Sequence, residues 1–495
     1  MKGGANLLEH LGRTIQEERL PAPDYGALAE KFRSIVGSEG VSAGGADRLA
    51  TCRDYWPMGT LWFLEGKAPA LPDLVVWPRS SSEVAAVLKL AAENNIPVTP
   101  YGEGSGALGG AVPLQGGIAL DMKRMNRVLK LDRDNLMVTV EPGLNGSRYE
   151  EYLNRHGYTG GHFPQSLRCS TVGGWVACRA AGTFSTRYGK IEDMVVSLEA
   201  VLPDGKVIRG RKLPRTSTGP RVDHLFIGSE GTLGVITAIT LRIWPYPEKR
   251  IYCSYTFETI ERALEAIRRL VQAGARPAVV RLYDPAETAH HFPDCEAAAG
   301  RVILVLLFEG DAGIIAAEEQ LAAKLAREEG GLAAGPEPVE HWLETRFNVG
   351  LASKLFRQGA VVDTIEVSTN WTNAAPLYHA MQKAILAVEG TALASGHYSH
   401  VYPEGAALYL TLVGFPAGDK REYYRRLWGA AMESCLSLGG AISHHHGVGL
   451  HRGLWMAQEH GKALEALRMI KEALDPQGIM NPGKLGLGEV KKWPE

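Results

Sequence analysis

Hydrophobic and polar positions along this chain follow two periods. LVVW at residues 74–77 is a short apolar run of β type. Ser80 and Glu83 then make the pattern that closes the first turn of a helix. Val84, Val87, Leu88 and Ala91 recur at helical spacing, which predicts a helix through Asn94 with one apolar face. IPVTPYG, GIALDM, VLKLD and MVTVEPG follow as short β runs between glycine loops. From Arg250 the texture changes. SYTFETIERALEAIRRLVQAGARPAVVRLYD reads strand, helix, strand. RVILVLLFEGD and a long helix over 312–329 come next, and GGLAAGPEP reads as a loop. A second strand–helix unit spans VVDTIEVSTNW to AVEG, and AALYLTLVGF is one more strand.

This pattern predicts an α+β protein in four segments. Residues 1–60 form a helical, peripheral segment that opens on the amphipathic stretch MKGGANLLEHLGRTIQEERL. Residues 61–248 carry the glycine loops, 249–430 a separate sheet-and-helix domain, and 431–495 a tail that regains turn chemistry. A length of 495 residues agrees with two or three domains. With 53 basic and 55 acidic residues the formal net charge is −2, which argues against nucleic acid or a membrane surface as partner. No run of 18 apolar residues is present, so no transmembrane segment is expected. Six cysteines are scattered with no C-x-x-C pair, the usage of reduced thiols in a cytoplasmic protein, and they offer no iron–sulfur site. Cys169 and Cys178 read as small buried residues.

Candidate chemistry gathers in three glycine-bearing stretches. The first, PYGEGSGALGG at 100–110, contains G-x-G-x-x-G, but Pro113 and further glycines follow where a dinucleotide-binding motif would open a helix. A nicotinamide reading is therefore rejected. What remains is a nest of N–H groups from Gly102, Glu103, Gly104 and Ser105 suited to an anion, with Pro100 and Gly106 at its edges. The second stretch supplies Pro164, Ser166, Ser170, Thr171, Gly173, Gly174 and Ala177, a density of hydroxyls and amides that suits a diphosphate and a polyol chain. The third supplies Glu230, Gly231 and Gly234, followed by Val235 and Ile236, whose main-chain groups suit the edge of a flat ring. Each stretch alone is compatible with a sheet corner; together they read as three walls of one flavin-dinucleotide pocket.

His444, His445 and His446 form the most conspicuous polar cluster. In an extended segment His444 and His446 would share one face and His445 the other, so three neighbours would not chelate one metal, and no metal is expected. A histidine run on a solvated edge is the alternative reading. Tyr409 stands in a strand, where it is either a core aromatic or a proton relay. Arg281, in VVRLYD, suits bidentate contact with a carboxylate or phosphate, or else a salt bridge to nearby Asp284.

From about Ile35 to Gly486 the chain resembles the vanillyl-alcohol-oxidase (p-cresol-methylhydroxylase, PCMH) type of FAD flavoproteins. The resemblance rests on STVGGWVA, YGKIED, STGPRVDH, GSEGTLGVIT, LFEGD, GGLAAG and SHHHGVG. Within that type it is most similar to the alkylglycerone-phosphate synthases, and it is also similar to FAD-linked D-lactate and glycolate dehydrogenases. The resemblance implies a two-subdomain PCMH-type FAD-binding domain, a cap of antiparallel sheet plus helices over the ring, and a C-terminal tail returning to the pocket. It implies FAD, bound noncovalently because the 100–110 loop has no histidine. It also implies catalytic roles for His444–His446, Tyr409 and Arg281, and it aligns Arg452 with a family arginine. One departure is His397, which stands where the synthases carry a second arginine. Another is GHYSHVYPEGAALY, whose His400 and Glu404 only loosely fit a metal-binding stretch of the dehydrogenases. The expected function is oxidation of a small anionic hydroxy acid or alcohol, with hydride passing to the flavin. An electron-acceptor protein or quinone is the expected onward partner and a homodimer a compatible assembly. The alternatives are redox-neutral exchange of acyl for alkyl on dihydroxyacetone phosphate, and a noncatalytic flavin-storage or electron-transfer subunit.

Overall fold

The computed structural model describes residues 25–68, 70–348 and 351–488. The N-terminal amphipathic stretch and residues 489–495 lie outside the described residues. The helix anticipated after residue 80 runs Ser81–Glu93. Its first turn is closed by Ser80 Oγ, which accepts the N–H of Glu83 at 3.2 Å. The Glu83 carboxylate turns back to accept the N–H of Arg79 at 2.8 Å, one residue earlier than a reciprocal capping box would use. Val84, Val87, Leu88 and Ala91 are fully buried against the first sheet.

That sheet has strands β1 (Val41–Ser42), β2 (Leu74–Val76), β3 (Val98–Tyr101) and β4 (Ile118–Asp121) in the order β1-β2-β4-β3, with β4 parallel to both of its neighbours. A second sheet joins β5 (Val128–Asp132), β6 (Met137–Val140), β8 (Val195–Val201), β9 (Val207–Arg209) and β10 (Val235–Arg242) in the antiparallel order β5-β6-β10-β8-β9. A short ribbon pairs β7 (Tyr158–Thr159) with β11 (Trp244–Pro245). Beyond it, β12 (Lys249–Phe257), β13 (Val279–Tyr283), β14 (Val302–Gly310), β15 (Leu332–Gly335), β16 (Val361–Asn370), β17 (Thr391–Val401) and β18 (Gly405–Gly414) form one antiparallel sheet. Its order is β15-β12-β14-β13-β17-β18-β16. This is the α+β class read from the sequence, with the antiparallel cap sheet that the resemblance implies.

Two expectations are corrected. GGLAAG is not all loop: Leu332–Gly335 is the edge strand β15, paired with β12 and tied by Ser254 Oγ donating to the Gly335 carbonyl at 2.7 Å. Small residues without alternation hid it, because an edge strand needs a pairing partner more than an apolar face. Nor are residues 25–60 peripheral. Val41–Ser42 pairs with β2, and Phe32, Trp56 and Met58 are fully or almost fully buried. Trp56, Met58, Leu61 and Trp62 pack into the core of the cap sheet.

The register of the cap sheet positions the chemistry. Tyr283 of β13 lies opposite His397 of β17, His397 opposite Tyr409 of β18, and Tyr409 opposite Glu366 of β16. Residues directly opposite in an antiparallel sheet point to the same face. One row across four strands therefore presents these four side chains together, with Arg281 and Thr364 two residues along their strands on the same face.

Candidate active site

The three glycine bends meet because their glycines let them touch. A Cβ on Gly102 would lie 2.5 Å from Oγ1 of Thr171, joining the first bend to the second. Gly231 has φ +75°, and a Cβ there would stand 2.8 Å from Cγ of Pro100, joining the third bend to the first. The space they enclose is a cavity of about 390 Å³. Of the cofactor-side residues read from the sequence, every one but Ser170 lines it. Ser170 faces away, and its Oγ accepts the indole N–H of Trp175 at 2.7 Å. The first bend opens no helix, as its prolines and glycines require. Cys169 and Cys178 also face the cavity, with both thiol pKa values pushed up by burial.

The chain's tail locks these bends. The Asn481 amide donates to the carbonyls of Gly110 at 2.9 Å and Glu230 at 2.6 Å, and Lys484 Nζ donates to the carbonyl of Val112 at 2.7 Å. The Glu230 carboxylate accepts the N–H groups of Val448 at 2.6 Å and Gly449 at 2.8 Å, so the third bend is fastened to the histidine segment. Burial pushes Glu230 up to about 7 and Asp54 up to about 6. Asp54 Oδ2 is buried, faces the cavity and has no hydrogen-bond partner among the described residues.

The opposite wall comes from the cap sheet and the histidine segment: Arg281, Thr364, Ser399, His400, Tyr409, His445 and His446 line the same cavity. The Tyr409 hydroxyl donates to Thr364 Oγ1 at 2.9 Å, and burial pushes its pKa up to about 12. Arg281 does not pair with Asp284. Asp284 instead accepts the Tyr378 hydroxyl at 2.9 Å and the Gly396 N–H at 2.6 Å, while Arg281 Nη2 donates to His397 Nε2 at 2.7 Å.

The histidine segment is not extended, and the anticipated alternation of faces fails. The backbone N–H groups of His444, His445 and His446 all converge on the carboxylate of Glu366, the one from His446 at 2.8 Å. The chain wraps that anion as a nest. Arg452 closes it from behind: Nη1 donates to Glu366 at 2.6 Å and Nη2 to the Glu366 carbonyl at 2.6 Å. Burial raises the Glu366 pKa, but Arg452 and the neighbouring histidines outweigh it and hold the carboxyl at about 2. Wrapped this way, His444 turns behind the wall, its Nδ1 2.9 Å from Nδ1 of His445 and its Nε2 2.9 Å from the Tyr402 hydroxyl. Burial drives His444 and His445 well below their ordinary pKa and His446 down to about 4, so all three rings are neutral near pH 7. His400, held through Nδ1 by Ser185 Oγ at 2.7 Å, joins them. One ring nitrogen from each of His400, His444 and His445 lies within 4.8 Å of the others, so the cluster that forms joins two neighbouring histidines to His400 rather than three in a row.

Glu366 and Glu287 escaped the sequence reading. A usable signal existed for the first, since Thr364, Glu366 and Ser368 put polar side chains on alternate positions of a strand otherwise rich in valine and isoleucine.

The sequence matches the FAD binding domain over residues 72–211 and the C-terminal domain of FAD linked oxidases over residues 246–485. The chain belongs to the FAD-linked oxidase family. The uncharacterized FAD-linked oxidoreductase YgcU of Escherichia coli O157:H7 is 32% identical, covering 93% of this chain and 98% of that protein. An alkyldihydroxyacetonephosphate synthase of Caenorhabditis elegans is 30% identical over 85% of this chain and 77% of the relative. A probable mitochondrial D-lactate dehydrogenase of Danio rerio is 29% identical over 92% and 91%. Among solved structures, an alkyldihydroxyacetonephosphate synthase superposes with TM-score 0.80 at 25% identity, covering 94% of this chain and 87% of its own. Substrate-bound p-cresol methylhydroxylase does so with TM-score 0.74 at 18% identity, over 94% and 98%, and shows the shared fold alone. This family member is an FAD enzyme, and its residues fit the cofactor: all three glycine-bearing bends line one cavity whose other side carries the titratable groups. Among the described residues no helix is long and apolar enough to cross a membrane.

Proposed function

We propose that this FAD-linked oxidoreductase oxidises a small anionic 2-hydroxy acid or alcohol. The observation that carries the reading is the position of Arg281. It is a permanent cation on the same cavity wall as Tyr409, His445 and His446, and its Nε–H has no acceptor among the described residues. In this reading Arg281 holds the substrate carboxylate, and a neutral imidazole, His445 or His446, takes the hydroxyl proton as the carbon–hydrogen bond is broken. Tyr409 holds the substrate oxygen with its phenol. FAD, when bound, supplies the two-electron acceptor for the departing hydride. Arg452, Glu366 and Glu230 keep the imidazoles at the wall through the histidine segment.

The test is anaerobic addition of glycolate or D-lactate to the purified holoprotein. Bleaching of the flavin is expected, and a flavin left oxidised by a broad panel of hydroxy acids overturns the reading. The similarity to the synthases favours a second reading, exchange of acyl for alkyl on dihydroxyacetone phosphate. His397 in place of an arginine weakens it. Arg346 favours it: this cation is close enough to Arg281 for the two charges to repel, and its Nε and Nη1 are unpartnered among the described residues. Incubation with acyl-dihydroxyacetone phosphate and a fatty alcohol discriminates directly, because only the second reading yields an ether.

A further inference from the structure

His397 is enclosed on every side. Its ring stacks on Tyr409, with centroids 4.7 Å apart and planes 24° apart, and Tyr283 packs beside it at 5.2 Å. These contacts follow from the sheet row that sets Tyr283, His397 and Tyr409 opposite one another. Its Nδ1 lies 2.7 Å from Oε2 of Glu287, and its Nε2 lies 2.7 Å from Nη2 of Arg281. The other Glu287 oxygen accepts the Thr411 hydroxyl at 2.7 Å.

The tautomer follows from the partners. A guanidinium only donates, so Nε2 must present its lone pair, and the ring proton must sit on Nδ1 and point at Glu287. His397 is thus a neutral ring with its donor fixed on a carboxylate and its acceptor fixed on Arg281. Burial lowers its pKa further, in agreement with the neutral form. Glu287 is the anion of the chain: burial alone would raise its carboxyl, but His397 and the Thr411 hydroxyl outweigh that and hold it at about 2.

The spacing has a chemical consequence. A carboxylate in direct contact with Arg281 would occupy the donors a substrate anion needs. With an imidazole interposed, the Glu287 charge orients the guanidinium without covering it. The guanidinium carries five N–H donors; His397 takes one of them and the Tyr283 hydroxyl accepts from another. The Nε–H is buried and has no acceptor among the described residues. The ring centroids of Tyr283 and Trp342 lie 5.6 Å and 5.4 Å from the guanidinium carbon, within cation–π range.

We propose that His397, fixed by Glu287, is a positioning residue that aims the free donors of Arg281 at the carboxylate of the substrate. This rests on the hydroxy-acid reading above. His397 acts through Arg281 and itself touches no reacting atom.

The test uses the holoprotein and oxalate, a carboxylate that the flavin does not oxidise, titrated by calorimetry. The His397→Phe protein keeps the ring stack and loses the acceptor; it should bind oxalate about tenfold more weakly or worse. His397→Gln, whose amide oxygen reaches the Nε2 position, should return affinity to within about threefold of the wild type. With the hydroxy acid that reduces the wild-type flavin, KM should rise far more than kcat falls in His397→Phe. Should that protein fail to retain flavin, His397→Asn carries the same measurement, since its shorter amide falls short of Arg281. Oxalate affinity equal to the wild type in His397→Phe or His397→Asn overturns the proposal, as does an equal loss in His397→Phe and His397→Gln. A wild type that binds oxalate with the predicted variant pattern, yet is reduced by no hydroxy acid, removes the oxidase reading and leaves the positioning role standing.

Discussion

The two walls of the cavity are built by opposite means. The cofactor wall is built from three glycine-bearing bends, whose backbones come into contact where Gly102 and Gly231 have no side chain to keep them apart. The substrate wall is side chain: charged and aromatic groups backed by a buried polar layer, in which Glu366 is held by Arg452 and His397 by Glu287. A backbone wall binds one shape and tolerates little change in its own sequence. A side-chain wall can change its chemistry by one substitution, and that is where relatives with differently named activities would diverge.

The largest test of this contrast is Glu366→Ala. It leaves Arg452 buried without its carboxylate and three backbone N–H groups without an acceptor, so a loss of about 3–5 kcal/mol in unfolding free energy is expected. Denaturant melts of the holoprotein measure it. A loss under about 1 kcal/mol would show that the histidine segment does not depend on its nest. Next is Gly231→Ala on the other wall. A Cβ at φ +75° and 2.8 Å from Pro100 should cost about 1–3 kcal/mol and lower the flavin-to-protein ratio of the purified enzyme. Full flavin occupancy with unchanged stability would mean that the bends need no such close approach.

The smallest effect is a difference in pH response. His446 falls from an ordinary 6.5 to about 4, so its stability contribution is complete above pH 6.5 and is lost as pH drops toward 4. Glu230 rises from 4.5 to about 7, so its contribution is gained as pH drops from 7 toward 4.5. Between pH 7 and 5.5, His446→Gln should therefore flatten the acid loss of stability and Glu230→Gln should steepen it, each by about 1 kcal/mol. Thermal melts at the two pH values check this, and shifts of the same sign in both variants would contradict the opposite directions in which burial moves the two groups.

The cofactor wall was legible because its signal is local. Glycines, hydroxyls and the absence of a following helix can be read within ten residues, and every cofactor-side residue so read except Ser170 faces the cavity. The helix Ser81–Glu93 was legible for the same reason, its cap and apolar face lying within two turns of each other. The substrate wall was only partly legible. Tyr409, Arg281 and the histidines stood out as residue types, but Glu366 did not, and Arg281 was open to a pairing with Asp284 that the fold does not make. The edge strand β15 and the buried Trp56 went unread because their partners lie far along the chain.

The sequence by itself determined the α+β class, the positions of the glycine bends and the presence of buried-type aromatics and histidines in the cap region, since these depend on neighbours a few residues away. Only the tertiary structure decided which titratable groups meet. The register of four strands set Tyr283, His397, Tyr409 and Glu366 in one row. A shift by a single residue would have sent each to the other face, and no local pattern in any one strand encodes its alignment with the next.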